Sequence, residues 1–319
     1  MKAGVIAKPG LASLPVQAQR ILSGIDELFC SREFGGSLLS QARPLDSGSE
    51  GLGYKERIAA AIRAFEDAGA DLIVTIGGDG LASYAASAAI LNGGKLPDFL
   101  GIPAGTANIG PIAGPLDAYS IAELEPFCLD AIEVSDGDTV IGYAFNDLVI
   151  GDTFLGTLGT RMVNFSARAL ALEDRLEVQD PSDDILTSDF SINMNSVKIP
   201  FGNWDDVKQI CVSTLHCADI AGRAVYGGLI DSVGMDHAGA LAMLDRIAVD
   251  SREENWKYKG LTRTAHICFE NGDCLVLSGL SDKGQLIIDG NPFIRKSADV
   301  TIRIRPDAIR ALRRKHEHR

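Results

Sequence analysis

The segment that most restricts what this chain can become runs from Asp71 to Leu91. Six residues, Asp71-Leu72-Ile73-Val74-Thr75-Ile76, read as a buried strand. They pass directly into Gly77-Gly78-Asp79-Gly80, and an alanine-rich stretch, Leu81–Leu91, follows with strong helix propensity. A strand that turns through glycines into a helix belongs to an α/β unit. Glycine tolerates positive φ and close approach of other backbone, and the N-terminus of the following helix presents amide hydrogens to an anion. Such a turn suits a phosphate. Asp79 inside it would repel one unless the carboxylate binds a metal, accepts a proton from an attacking hydroxyl, or bonds a neighbouring amide. The plainer reading is that Asp79 caps a helix starting at Leu81.

A second glycine loop, Gly101-Ile102-Pro103-Ala104-Gly105-Thr106-Ala107-Asn108, follows the next apolar run, Phe99–Pro103. Loops that leave the carboxyl ends of parallel strands share one sheet edge, so the two loops are expected to converge on one ligand. Thr106 and Asn108 add a hydroxyl and an amide suited to phosphate or ribose oxygens, though each is also an ordinary turn residue.

Around these loops the chain alternates strand and helix. Ala3–Ala7 reads as a first strand opening into Lys8-Pro9-Gly10, a helix is expected near Val16–Leu28, and Tyr54–Ala68 carries Ile58, Ile62 and Phe65 at helical spacing before Gly69. The fold class expected is an α/β N-terminal domain with a doubly wound parallel sheet, followed by a β-rich antiparallel domain. In that second part short runs read as strands: Ala131–Val134, Thr139–Ile150, Phe190–Met194, Val207–Leu215, Thr264–Phe269, Cys274–Ser278 and Leu286–Ile288. Gly159–Leu176 reads as a helix, Val300–Arg305 as a strand ended by Pro306, and Asp307–Arg319 as a basic helix. The expected division is 1–122, 123–299, and a terminal strand and helix over 300–319 that can return to the first domain.

A length of 319 residues fits two domains. Thirty basic against 43 acidic residues leave a net charge of −13, which disfavours nucleic acid and anionic lipid surfaces as partners. A small nucleotide is not excluded, because backbone amides or a metal ion supply positive potential locally. The six cysteines show no paired spacing, and no apolar run is long enough for a signal or a membrane span. A cytoplasmic location is expected, with small nucleotides as partners, no membrane contact, and a homodimer or higher homo-oligomer as the assembly. His237 beside Asp236 is a candidate acid–base pair, though a surface histidine is the plainer reading. His216 and Cys217, adjacent on a strand, point to opposite faces and do not share an ion. Trp204 and Trp256 suit interface packing.

The two loops, Ile76-Gly77-Gly78-Asp79-Gly80 and Gly101–Asn108, resemble the paired signature of the NAD-kinase and diacylglycerol/sphingosine-kinase superfamily. Within it the chain most resembles the ATP-NAD-kinase-like group that includes the acetoin-catabolism X proteins. Asn146–Gly151, Gly156–Met162, Tyr226–Ile230 and Leu286–Gly290 carry the further likeness. The resemblance implies an ATP-dependent kinase acting on a hydroxyl, with Mg2+, a nucleotide in the cleft between two domains, and NAD(H) as leading acceptor. It implies Asp79 as base or metal organiser framed by Gly77, Gly78 and Gly80, nucleotide contacts at Gly105, Thr106 and Asn108, and an Asn146–Asp147 pair gripping a ribose diol. Two departures bear on the acceptor. Leu81 stands where NAD kinases usually have threonine, and Gly228–His237 replaces a Thr- and Ser-rich glycine loop. Another metabolite or a lipid as acceptor, or a non-catalytic nucleotide-binding protein, are the competing readings. An ordinary dehydrogenase is disfavoured because no Gly-x-Gly-x-x-Gly follows the first strand.

Overall fold

A computed structural model describes residues 1–319 except 106–107, 109, 114–115, 117, 160, 183, 201–206, 216–236, 254–259, 261–262 and 315–319. The chain forms two compact units: Met1–Leu129 with the chain from Asp307 onward, and Asp130–Pro306.

In the first unit the elements are β1 (Lys2–Ala7), α1 (Val16–Leu22), β2 (Glu27–Ser31), β3 (Arg43–Leu45), α2 (Tyr54–Asp67), β4 (Leu72–Gly77), α3 (Asp79–Asn92) and β5 (Asp98–Pro103). The strands pair in parallel in the order β3-β2-β1-β4-β5. Alternate residues serve opposite faces. Ala3, Val5 and Ala7 pack with Ala18, Ile21 and Leu22 of α1, whereas the position of Gly4 is taken up by α2. A Cβ on Gly4 would lie 2.4 Å from the Phe65 ring, so glycine is what lets this helix seat on the central strand. Phe65, Ile58, Ala61 and Ile62 form the buried stripe of α2, and full burial of each larger one contributes about 1.5–3 kcal/mol. α3 is buried on almost every side and ends at Gly93 in the left-handed conformation.

The second unit holds β7 (Thr139–Ala144), β8 (Leu148–Gly151), β9 (Thr153–Leu158), β10 (Arg161–Ser166), α4 (Ala167–Glu173), β11 (Leu186–Met194), β12 (Val197–Lys198), β13 (Gln209–Thr214), β14 (Gly239–Leu244), β15 (Thr264–Phe269), β16 (Cys274–Leu280), β17 (Gln285–Ile288) and β18 (Asn291–Phe293). Two long strands carry the chain between units, β6 (Leu124–Asp136) and β19 (Asp299–Arg314). One antiparallel sheet runs β15-β14-β13-β8-β17-β18. A second set pairs β12-β11-β16-β19, and β6 pairs with β7. Ile150, Val212, Leu241 and Ile288 of the first sheet share a core with Val134, Ile192, Leu277 and Ile302 of the second set. This is sandwich packing.

The structure revises several boundaries. The helix expected over 16–28 stops at Leu22, and Glu27–Ser31 is a strand beside β1. The run 139–150 is two strands broken at Phe145–Asp147. The helix expected over 159–176 is helical only at Ala167–Glu173, and Arg161–Ser166 before it is a hairpin strand paired with β9, which explains its untidy apolar phase. The basic helix expected after Pro306 is strand as far as Arg314. Ile309 and Ala311 are buried around exposed Arg310, a period of two, and Ala311 pairs with Phe99 of β5. Tertiary pairing overrides helix propensity there. Pro306 sits within the strand, followed by Asp307 at φ +46.

Candidate functional site

In a sheet ordered 3-2-1-4-5 the chain reverses direction between β1 and β4, and ligands of such sheets bind beyond the carboxyl ends of the strands at that point. Gly77 ends β4 there, and the amide of Lys8, just after β1, donates to the carbonyl of Ile76 at 2.9 Å. The glycine turn therefore stands at the switch point.

Helix α3 begins at Asp79, two residues earlier than expected, with Gly78 as its N-cap and no side-chain cap. Asp79 is consequently the first helical residue and not the cap. The helix dipole favours a carboxylate in this turn, by typically 0.3–1 kcal/mol. Left-handed backbone, by contrast, is not what the glycines supply. Gly78 has φ −102, and none of Gly77, Gly78, Gly80 or Gly105 has positive φ. What they supply is approach distance. A Cβ on Gly105 would stand 2.6 Å from Cα and 2.9 Å from N of Gly78, and the Ala104 amide donates to the Gly77 carbonyl at 2.7 Å. The two glycine loops thus touch, backbone on backbone.

Asn108 secures the second loop. Its Oδ1 accepts from the Gly105 amide at 3.0 Å, and its Nδ2 donates to the Gly105 carbonyl at 2.9 Å. Thr106 lies outside the described residues. Gly110 was not singled out in the sequence, yet a Cβ there would fall 2.8 Å from Oδ1 of Asp79. The loop after β5 therefore also shapes the surroundings of the acid. Leu81 is buried, with Cδ2 2.8 Å from where a Gly77 Cβ would be, so this departure from threonine packs under the turn.

Lys55, in the first turn of α2, places its ammonium 5.9 Å from the Tyr84 ring of α3. Burial pushes it down from 10.5 to about 8, opposed by Glu56, while burial, with Glu56 adding to it, pushes Tyr84 up to about 12. Between pH 8 and 10.5 the unfolded chain holds a proton that the folded chain has released, so this group makes stability rise with pH across that window. Lys55→Met should therefore stabilise the protein most below pH 8 and progressively less toward pH 10.5. Urea unfolding of both proteins at pH 7 and pH 10 checks it, and an equal gain at both values would contradict the expectation.

The second unit contributes a separate cluster. Asn146 and Asp147 occupy the break between β7 and β8, with Asn146 Nδ2 3.4 Å from Asp147 Oδ2. Asn146 Oδ1 is buried and has no hydrogen-bond partner among the described residues. The carboxylate of Asp289 accepts from the amides of Phe145, Asn146 and Asp147 at 2.7, 2.9 and 2.8 Å. Asp289 was missed as a site residue. The available signal was Asp289-Gly290 between two apolar runs, which marks a hairpin turn. His237 pairs through Nδ1 with Glu270 Oε1 at 2.5 Å. Asp236, His216, Cys217, Trp204, Trp256 and 228–236 lie outside the described residues.

No protein-family model matches the sequence, and no curated protein matches it. Solved structures do. A candidate diacylglycerol kinase from Bacillus anthracis str. Sterne aligns with a TM-score of 0.56 at 13% identity, covering 97% of this chain and 96% of that one. Yeast NADH kinase complexed with NADH aligns at 0.52 and 11% identity, covering 99% of this chain and 84% of that one. The chain shares their fold. At these identities the kinase-type fold says nothing by itself about chemistry, which rests on the residues above. No helix among the described residues is long and apolar enough to cross a membrane.

Proposed function

We propose that the chain is an ATP-dependent kinase that transfers a phosphoryl group to a hydroxyl, with NAD(H) as acceptor. The observation that carries this is the contact of the two glycine loops at the switch point, with an acid on the first residue of the helix that leaves it. Amides of the glycine turn and the α3 N-terminus would hold the ATP phosphates, with Gly77, Gly78, Gly80 and Gly105 clearing the way and Asn108 fixing the loop. The acceptor oxygen attacks the terminal phosphorus, the bond to the ADP oxygen breaks, and Asp79 takes the hydroxyl proton.

Mg2+ is compatible with this donor set. Among the described residues no three His, Cys, Asp or Glu side chains form a cage, and magnesium usually takes one or two carboxylates plus phosphates and water. The ion would be held mainly by the ATP phosphates and water and would neutralise phosphate charge, with Asp79 serving as the proton acceptor and not as its ligand.

Asn146 and Asp147 would hold the ribose diol of the acceptor. In support, a buried amide oxygen without a partner is costly unless a donor such as a ligand hydroxyl reaches it. Membership of the acetoin-catabolism X group is the finer assignment that the sequence resemblance favours. Asn146→Ala should weaken NAD binding by roughly 1–3 kcal/mol and leave ATP binding nearly unchanged. Calorimetric titration of both ligands decides it, and equal loss for both would remove Asn146 from the acceptor site. The kinase reading is tested by ADP release from ATP, with and without NAD.

A lipid acceptor is the second reading. Leu158, Met162, Leu172, Leu176 and Val178 are each exposed, on β9, β10, α4 and the residues just after it, so the second unit carries apolar side chains in solvent. ADP release stimulated by a lipid and not by NAD would favour it.

A further inference from the structure

Asp289 and Gly290 form the two-residue turn between β17 and β18, with Ile288 paired to Asn291. Both have positive φ, +46 and +75, as a type I′ hairpin requires. Asparagine or glycine would serve such a turn equally well, so turn geometry does not call for a carboxylate. What calls for it lies more than 140 residues earlier in the chain. The Asp289 side chain accepts three consecutive amides, those of Phe145, Asn146 and Asp147. Its own amide donates to the carbonyl of Asp147 at 2.9 Å, closing the connection from the other side. The residue is only 7% exposed. Hydrogen bonds from amides to a buried anion are the stronger kind, and three on one carboxylate leave the backbone of this turn little freedom. The middle residue of the clamped three is Asn146, whose Oδ1 has no partner among the described residues.

We infer that Asp289 is a positioning residue for the phosphoryl acceptor: it fixes the backbone from which Asn146 and Asp147 reach the acceptor's hydroxyls, and so sets acceptor affinity without setting donor affinity. The inference rests on the reading of Asn146 and Asp147 given above. Asp289 would act through this turn and not by direct contact with either substrate. Replacing it with asparagine keeps the size but places an NH2 group among amide donors, so the turn relaxes and the Asn146 side chain loses its fixed origin.

The test is calorimetric titration of NAD and of ATP into the wild-type protein, Asn146→Ala, Asp289→Asn and the double variant. Asp289→Asn should weaken NAD binding about tenfold and leave ATP binding unchanged. Asn146→Ala should add little in the Asp289→Asn background, because the two act through one contact. Equal losses for NAD and ATP, or fully additive losses for NAD, would mean that Asp289 only supports the fold and would overturn the inference. Should Asp289→Asn fail to fold, amide exchange in the wild type decides. NAD, and not ATP, should slow exchange at Phe145–Asp147, and equal rates with both ligands overturn the proposal. If the wild type binds ATP but no NAD, the acceptor reading itself fails. NAD binding that is untouched in folded Asp289→Asn defeats the positioning role alone.

Discussion

Asp79→Asn should lower the rate of phosphoryl transfer by about 10²–10⁴-fold, the range typical for loss of a positioned general base. Asparagine matches aspartate in shape, and shape matters here because the carboxylate is closely fitted to Gly110. A bulkier replacement would push the loop away and confuse a lost proton acceptor with a lost binding site. The amide also forfeits the favourable interaction of a carboxylate with the α3 N-terminus, so a small drop in stability is expected, within about 1 kcal/mol. ATP affinity should be retained or slightly increased, since a negative charge beside the phosphates has been removed. Initial rates at saturating ATP and acceptor, with calorimetric ATP titration alongside, make the check. A variant that binds ATP and turns over at the wild-type rate would show that Asp79 is only a helix-start residue.

Gly105→Val should abolish ATP binding, with affinity falling by more than about 100-fold. The reason is contact and not backbone conformation. The new Cβ would lie 2.6 Å from Cα of Gly78, and backbone cannot swing aside as a side-chain terminus can. The γ carbons add to the overlap, and overpacking of this kind costs about 1–3 kcal/mol. The least costly relief is for the second loop to lift, breaking the Ala104–Gly77 hydrogen bond and the Asn108 closure. Gly105→Ala serves as the graded control, because its single methyl already meets the same atoms. If Gly105→Val folds and binds ATP with unchanged affinity, the loops are structural turns without a phosphate.

How far the sequence carried this picture depends on the range over which each feature is encoded. The strand, glycine turn and helix from Leu72 to Asn92 were legible because every element is written in consecutive residues. The reason for the glycines was not. A sequence shows that glycine is present and leaves open whether a positive φ or a close neighbour demands it, and here the neighbour of Gly105 belongs to another loop. Gly110 and Asp289 escaped for a related cause: the first matters through Asp79 and the second through Phe145–Asp147, contacts across 31 and more than 140 positions. The end of β19 misled for an energetic cause. Its Arg- and Ala-rich composition suits a helix, and only pairing beside Phe99, more than 200 residues away, makes an extended conformation the better one.

That last strand has a consequence for how the protein is made. The first unit takes a strand from beyond Pro306, after the whole of the second unit has been synthesised. A ribosome therefore delivers the five parallel strands of the first unit early, and β5 waits with an unpaired edge until Ala311, more than 200 residues after Phe99, has emerged. Open strand edges of this sort are templates for mispairing, so the interval is when a nascent chain is most exposed to aggregation. The order of translation makes completion of the first unit a late event, contingent on the chain having been read through the other unit first.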